Sequence, residues 1–370
     1  MSDKNIKKLI ADTFLEVADA LETGEFGKKP IIGIAAQGSE HGMDNIYEAI
    51  SLAEKKGYKA IAIEGEDVHK KMEDMLQAGE IDGAVTMHYP FPIGVSTIGK
   101  VVTPGKGKEM YIAATTGTSD TDRTIAMVKN AIYGIIAAKA SGISKPTVGI
   151  ANIDGARQAE KALLKLKEKG YDINFADSAR ADGGLVMRGN DLLSASSDII
   201  VMDALTGNLM VKIFSAYTTG GSYESLGWGY GPGIGKDYDK IIMIISRASG
   251  APVIAGAIEY ATELIKNNCL KIATEEFEKA EKAGLKEILE GLKASKKVED
   301  TAEVKEPPKE VVTAQISGIE VMDLEDAVTA LWKENIYAES GMGCTGPIIR
   351  ISEVNKDKAI AILSAAGYIQ

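Results

Sequence analysis

A chain of 370 residues, 45% hydrophobic and 26% charged, is long enough for about two or three domains with a generous core. Its apolar runs break well before the ~18 residues of a membrane span, and a net charge of -11 disfavours nucleic acid and anionic membrane as partners. Two cysteines, Cys269 and Cys344, in unrelated surroundings argue against a disulfide scaffold, an iron–sulfur cluster or a zinc site, and the first twenty or so positions lack the basic start and apolar core of a signal peptide, which places the protein in the cytoplasm.

Residues 4–22 carry Ile6, Ile10, Phe14, Val17 and Leu21 at near-helical spacing and predict an amphipathic helix that packs on the core. A short buried strand over 30–36 follows, then the loop Gln37-Gly38-Ser39-Glu40-His41-Gly42 and a helix over 44–56. Strand, glycine-bearing loop and helix deliver a helix N-terminus to an anion, which makes Ser39 and His41 candidate binding residues. The pattern repeats with a strand over 59–64, a helix over 66–78 and a strand over 83–87 that runs into His88-Tyr89-Pro90-Phe91-Pro92. It repeats again with a strand over 109–115, the loop Thr116-Gly117-Thr118-Ser119-Asp120, a helix over 122–141, a strand over 146–151, a helix over 155–169 and a strand over 173–176. Such alternation predicts an α/β class body: a doubly wound, mostly parallel sheet in one or two lobes, with a seam near 142–147. Because a doubly wound sheet holds its ligand at the carboxyl ends of strands, the loops around Ser39, His88, Ser119 and Asp154 are expected to converge on a cleft.

A buried strand ending at Asp203 then turns through Thr206-Gly207-Asn208 into a helix carrying Lys212, and a strand over 239–245 ends in Ser246-Arg247-Ala248-Ser249. A guanidinium fork beside hydroxyls suits phosphate. Between them, residues 218–235 (TTGGSYESLGWGYGPGIG) contain GxG spacings, but they neither follow a strand directly nor open a helix, and no acidic residue completes a dinucleotide-binding unit. The segment reads as a flexible lid or partner-facing loop with two aromatics, Tyr223 and Trp228. A helix over 251–268 is expected to bear Cys269, a structural thiol, at its end. Residues 274–297 predict a charged helix with a solvated face, and the polar stretch 298–310 reads as a linker between a body, 1–297, and a C-terminal unit, 311–370.

That C-terminal unit predicts a small α+β module: strand 311–317, helix 324–334, strand 336–339, strand 348–352 and helix 356–366. Its third connection is the loop Ser340-Gly341-Met342-Gly343-Cys344-Thr345-Gly346-Pro347. Glycines on both sides let the backbone take φ > 0 and turn its N–H groups toward whatever is bound to the sulfur. This suits a thiolate nucleophile with an oxyanion lined by Gly343, Thr345 and Gly346; the plain alternative is a hairpin loop with an incidental cysteine. A free thiol of pKa ~8.5 is only slightly ionised at neutral pH, so a helix N-terminus, an Arg or a His must assist Cys344. Of the histidines, His41 and His88 sit on expected cleft loops, and His69 lies inside a helix, solvated.

The run from Asp203 through Gly207 and Asn208 to Lys212 resembles the strand-loop-helix of the phosphate acyltransferases, which make acyl phosphates from carrier-bound thioesters. Ser246-Arg247 resembles the Ser-Arg pair of the phosphotransacetylases, relatives with the same isocitrate-dehydrogenase-like fold. With the linker and the GMGCTGP module added, the whole chain resembles the alpha subunits of component C of the glycine/sarcosine/betaine reductase complexes, which belong to amino-acid fermentation in anaerobes. The resemblance implies an acetyl thioester on Cys344, catalysis by Ser246 and Arg247, and acetyl phosphate as product; Ser39, His41, Asn208, Lys212 and Ser249 are further phosphate or substrate candidates by position. It implies inorganic phosphate as co-substrate, with neither a metal nor a bound cofactor, and as partners the component C beta subunit and a carboxymethylated selenoprotein A. Two other readings stay open: a phosphotransacetylase-like enzyme using coenzyme A or a carrier thioester directly, and a noncatalytic carrier-binding subunit. A docking module tolerates Cys344→Ala; a thioester enzyme does not.

Overall fold

The computed structural model describes residues 7, 10–11, 13–14, 17–18, 21, 29–35, 37–180, 183–299, 304–319, 323–343 and 346–369. The chain clusters into two compact units, 1–288 and 289–370. Most of the expected helix over 4–22 lies outside the described residues, and Ile10, Phe14 and Leu21 within it are exposed rather than packed among the described residues.

In the first unit, β1 (Ile31–Ala35), α1 (Gly42–Lys55), β2 (Lys59–Ala62), α2 (Val68–Ala78) and β3 (Gly83–Thr86) follow the expected alternation. The long strands β4 (Val95–Val102) and β5 (Glu109–Thr118) form an antiparallel pair. Then come α3 (Arg123–Ala140), β6 (Thr147–Ala151), α4 (Ala156–Glu168), β7 (Asn174–Phe175), β8 (Val186–Met187), α5 (Gly189–Ser194), β9 (Ile199–Val201) and α6 (Ala204–Ala216). The unit closes with β10 (Gly231–Gly235), β11 (Ile242–Ile244), α7 (Ala251–Lys266) and α8 (Cys269–Lys282), and α9 (Leu285–Glu299) leads out of it. Local chemistry sets the helix starts: the Asp122 carboxylate accepts from the Ile125 N–H and Asp203 accepts from the Leu205 and Thr206 N–H groups, satisfying donors that a helix leaves orphaned.

These strands make one eleven-stranded sheet, ordered β2-β1-β3-β11-β10-β4-β5-β9-β6-β7 with β8 beside β6. Both flanks are parallel, but β11/β10, β10/β4 and β4/β5 pair antiparallel in succession. Three reversals leave the flanks running in opposite senses, so their carboxyl ends do not share an edge, and the single cleft expected around Ser39, His88, Ser119 and Asp154 is not formed.

The segment 218–235 corrects a second expectation. Its GPGIG run is β10, fully buried at the centre of the sheet, not a lid, and Trp228 is half-buried against the Lys100 ammonium, 4.3 Å from its ring centroid. Gly231 has φ +87°, and a Cβ there would lie 1.7 Å from the Ile98 carbonyl oxygen, so β4 and β10 approach only because that side chain is missing. Gly231→Ala combines overpacking with a strained φ, roughly 1–3 kcal/mol each, whereas Gly220→Ala meets a positive φ alone, with nothing within 4 Å. Urea titration is expected to place the Gly231→Ala midpoint well below that of Gly220→Ala; equal midpoints refute the close-approach account.

Two helix boundaries also differ from expectation. Cys269 opens α8 instead of ending the preceding helix, because Asn268 takes φ 56° and breaks the chain direction after α7. The charged stretch 274–297 is split between α8 and α9 at Gly284, φ +81°.

The second unit contains β12 (Ala314–Ser317), α10 (Leu324–Lys333), β13 (Ala338–Gly343), β14 (Gly346–Ile351) and α11 (Lys356–Ala365). Its sheet is antiparallel, ordered β12-β14-β13, and the helices cover it through Ile316, Leu331, Ile336, Ile349, Ile351 and Leu363. The expected long glycine loop is instead mostly ladder: pairing runs from Ala338↔Ile351 to Gly343↔Gly346, which leaves only positions 344 and 345 to connect the strands. Alternate glycines do not bar pairing here, since β14 supplies partners along their whole length.

Candidate active site

The strand β11 ends at Ile244, and the loop 246–249 leads into α7, whose N-cap is Gly250 and whose first turn carries Pro252. A long helix thus points its unsatisfied N–H groups and positive dipole end at this loop. Within it, the Ser246 N–H donates to Ser249 Oγ (3.0 Å) and the Ala248 N–H donates to Ser246 Oγ (3.1 Å). Arg247 is exposed, and its guanidinium makes no hydrogen bond or ion pair among the described residues.

The 37–41 loop, from the carboxyl end of β1, is stitched onto this one. The Glu40 N–H donates to the Arg247 carbonyl (3.0 Å), His41 Nε2 lies 3.4 Å from the Ala248 carbonyl oxygen, and Asn45 Nδ2 donates to the Ser249 carbonyl (3.1 Å). The Ser39 hydroxyl faces its own loop and accepts from the His41 N–H (3.2 Å). From the other side α6 delivers Lys212, whose Nζ donates to Ser246 Oγ at 3.1 Å. Asn208, four residues earlier on the same helix face, is half-buried, and its side chain makes no hydrogen bond among the described residues. Helix α6 can lie this close because position 207 is glycine: a Cβ there would sit 1.8 Å from the Ala114 carbonyl oxygen.

The structure therefore gathers Ser246, Arg247, Ser249, Lys212, Ser39 and His41, with Asn208 nearby on α6. It does not gather the others. Ser119 is turned inward, donating to Asn130 Oδ1 at 2.7 Å. Asp154 pairs with Arg123 at 3.2 Å beyond the opposite flank, where Asp203 caps α6; partial burial favours the neutral form of Asp203, but the Thr206 hydroxyl and N–H, then Arg123, hold its carboxyl below the ordinary range. His88 is exposed and borders a pocket of about 330 Å³ with Tyr89, Phe91, Thr116, Thr118 and Ile244. His69 is exposed as expected and also meets the Thr86 hydroxyl at 3.2 Å. Larger hollows of about 870 and 510 Å³ flank α8, and no candidate residue lines them.

Gly343 and Gly346 form the last described pair of the β13/β14 hairpin; Cys344 and Thr345 lie outside the described residues. The other thiol is plain: Cys269 is 3% exposed, and burial pushes it up to about 12.

Sequence reasoning missed the residue that holds the loop together. Glu224 is 0% exposed and its carboxylate meets Lys212 Nζ (2.5 Å), Ser249 Oγ (2.7 Å) and the Tyr230 hydroxyl (2.8 Å). Its backbone bridges to the same loop, accepting from the Gly250 N–H (2.8 Å) and donating to the Ala248 carbonyl (2.9 Å). The available signal was that Glu224 is the only acidic residue between Asp203 and Asp237. Among the described residues, no cluster of three or more His, Cys, Asp or Glu is placed to hold a metal, and no helix is long and apolar enough to cross a membrane.

Comparison with known proteins agrees with this architecture. The family model described as "Fatty acid synthesis protein" matches residues 23–350. The glycine/sarcosine/betaine reductase complex component C subunit alpha of Peptoclostridium acidaminophilum is 56% identical over 386 aligned positions, covering 100% of both chains. More distantly, the phosphate acyltransferase of Phenylobacterium zucineum is 32% identical over 24% of this chain and 27% of its own, and that of Bacillus licheniformis is 22% identical over 57% and 68%. An acyltransferase-like body carrying a cationic, hydroxyl-lined loop at a helix N-terminus, joined to a hairpin module along the full length of such a relative, places the chain in the fatty acid synthesis protein family, among the component C alpha subunits of glycine/sarcosine/betaine reductase.

Proposed function

We propose that the chain forms an acetyl thioester on Cys344 and hands the acetyl group to inorganic phosphate held by Ser246, Arg247 and Lys212, releasing acetyl phosphate. A phosphate oxygen attacks the thioester carbonyl, the C–S bond breaks, and the sulfur leaves as thiolate. The observation that carries the phosphate half is the 246–249 loop: an exposed guanidinium with no ion pair among the described residues, a half-exposed ammonium and a hydroxyl at the N-terminus of α7, a donor set suited to an anion. His41, Ser39 and Asn208 are further contacts for phosphate or the acyl group, with Ser249 supporting the loop and Gly343, Thr345 and Gly346 lining the thioester oxyanion. On this reading the beta subunit of component C and a carboxymethylated selenoprotein A are the partners, the latter as donor of the two-carbon unit, and the reaction requires neither a metal nor a bound cofactor, because positioning and charge neutralisation serve thioester phosphorolysis. The protein works in the cytoplasm.

The test is isotope exchange between labelled phosphate and acetyl phosphate without coenzyme A, using the chain alone and in its complex. A chain that carries acetyl on its own sulfur is expected to exchange label. Exchange that depends on added coenzyme A supports the phosphotransacetylase-like alternative; no exchange under either condition supports a noncatalytic binding subunit.

A further inference from the structure

The buried Glu224 carboxylate faces three donors: the Tyr230 and Ser249 hydroxyls, each with one proton to give, and the Lys212 ammonium, with three. The Tyr230 phenol stays protonated, since burial and then the neighbouring Glu224 charge push its ionisation well above the ordinary range. Lys212 is donor-only. Ser249 therefore spends its single proton on Glu224 Oε2 at 2.7 Å, and its 3.5 Å approach to Ser246 Oγ is the weaker claim on that proton. This fixes the rest of the chain of bonds. Ser249 Oγ, its proton committed, accepts from the Ser246 N–H. Ser246 Oγ accepts from both Lys212 Nζ and the Ala248 N–H, so both of its lone pairs are engaged. The acceptors near its own proton are neutral hydroxyl oxygens, that of Tyr230 and that of Ser249 at 3.5 Å, and a charged phosphate oxygen outcompetes both for it.

We infer that Glu224 is a positioning residue that, through Ser249 and Lys212, fixes Ser246 as a hydrogen-bond donor to the bound phosphate. A hydroxyl is by nature both donor and acceptor, and one that presented a lone pair to phosphate would repel it. A buried carboxylate removes that ambiguity, because it can only accept, and every hydroxyl linked to it must turn the same way. Glu224→Gln keeps the size but only one acceptor oxygen, and with that oxygen facing the two donors Lys212 and Tyr230 on the Oε1 side the amide NH2 faces Ser249. Ser249 then loses the acceptor for its proton, turns toward Ser246 Oγ and competes with a Lys212 that has lost its counter-ion.

The inference rests on the phosphate site proposed above, and the experiment separates the two. Phosphate affinity, by calorimetry with inorganic phosphate on the full chain, and kcat/KM for phosphate in the exchange reaction are measured for Glu224→Gln, Ser246→Ala, Ser249→Ala and the double variant Glu224→Gln/Ser246→Ala. Each single change is expected to weaken both quantities about 10- to 100-fold. The double variant is expected to fall no more than about 3-fold below the weaker single, since both remove the same donor. Losses that multiply, or a Glu224→Gln chain that binds phosphate as wild type does, overturn the inference. If Glu224→Gln does not fold, Ser249→Ala decides, since it keeps the ion pair and removes the relay together with the acceptor of the Ser246 N–H: wild-type affinity there also overturns it. Wild-type chain that binds phosphate without exchange leaves the affinity arms intact and refutes the thioester reaction alone; wild-type chain that binds no phosphate refutes both.

Discussion

Cys344→Ala is expected to lower acetyl phosphate turnover by at least about 10³-fold, since removing a covalent nucleophile deletes the intermediate itself instead of weakening a contact. Incubation of wild-type chain with acetyl phosphate is expected to add one acetyl mass to the peptide containing Cys344, and hydroxylamine is expected to remove it, as thioesters are labile to that amine. Cys269 supplies the internal control. It is buried at the start of α8, with its thiol held up to about 12, so at neutral pH it presents almost no thiolate. Acetyl on Cys269, or full turnover by Cys344→Ala, sinks the assignment. Cys344→Ser is expected to recover little, because a hydroxyl is a far weaker nucleophile than a thiol.

Arg247→Ala is expected to cost on the order of 10²-fold in rate with phosphate or arsenate as acceptor, the scale for losing one charged donor that meets developing negative charge. Arg247→Lys is expected to recover only a small part, since an ammonium cannot offer the planar fork that spans two phosphate oxygens. Because the guanidinium is exposed and makes no hydrogen bond or ion pair with a described residue, the substitution is expected to leave the melting temperature unchanged, which separates this loss from misfolding. Turnover by Arg247→Ala at the wild-type rate would remove the residue from the mechanism.

The α/β alternation was legible because β1, α1, β2, α2 and β3 each declare themselves by periodicity and are punctuated by glycine, and the same holds from α3 to α4. Ser246-Arg247 was legible because a buried apolar run stops directly before it. What escaped was structure whose cause lies in a distant neighbour. The run GPGIG has almost no side chain to read and contains a proline, which cannot donate to a ladder; it is a strand because Ile98 and Phe91 press against its backbone and only glycine fits. Strand β4 hides behind Lys100, a cation inside a buried strand, which is stabilised there by Glu109 at 3.0 Å and by the Trp228 ring. Glu224 gave no local pattern at all: its partners come from α6, from the approach to β10 and from the loop after β11, and only the fold brings them together. The break between α7 and α8 depends on a left-handed asparagine, a conformation Asn tolerates but does not announce.

The order of strands along the sheet sets when the protein can be completed. In the first flank β3 finds its outer neighbour only in β11, which emerges from the ribosome after the entire second flank, and β10 must arrive with it to seal β4. Until then, two apolar strands in mid-sheet stand as open edges, each a template for pairing with another chain. A nascent chain stalled before residue 231 therefore holds both flanks but no centre. Closure across so long a stretch is slow by its topology, and during that interval the exposed edges of β3 and β4 are where chaperones, or aggregation, would first take hold.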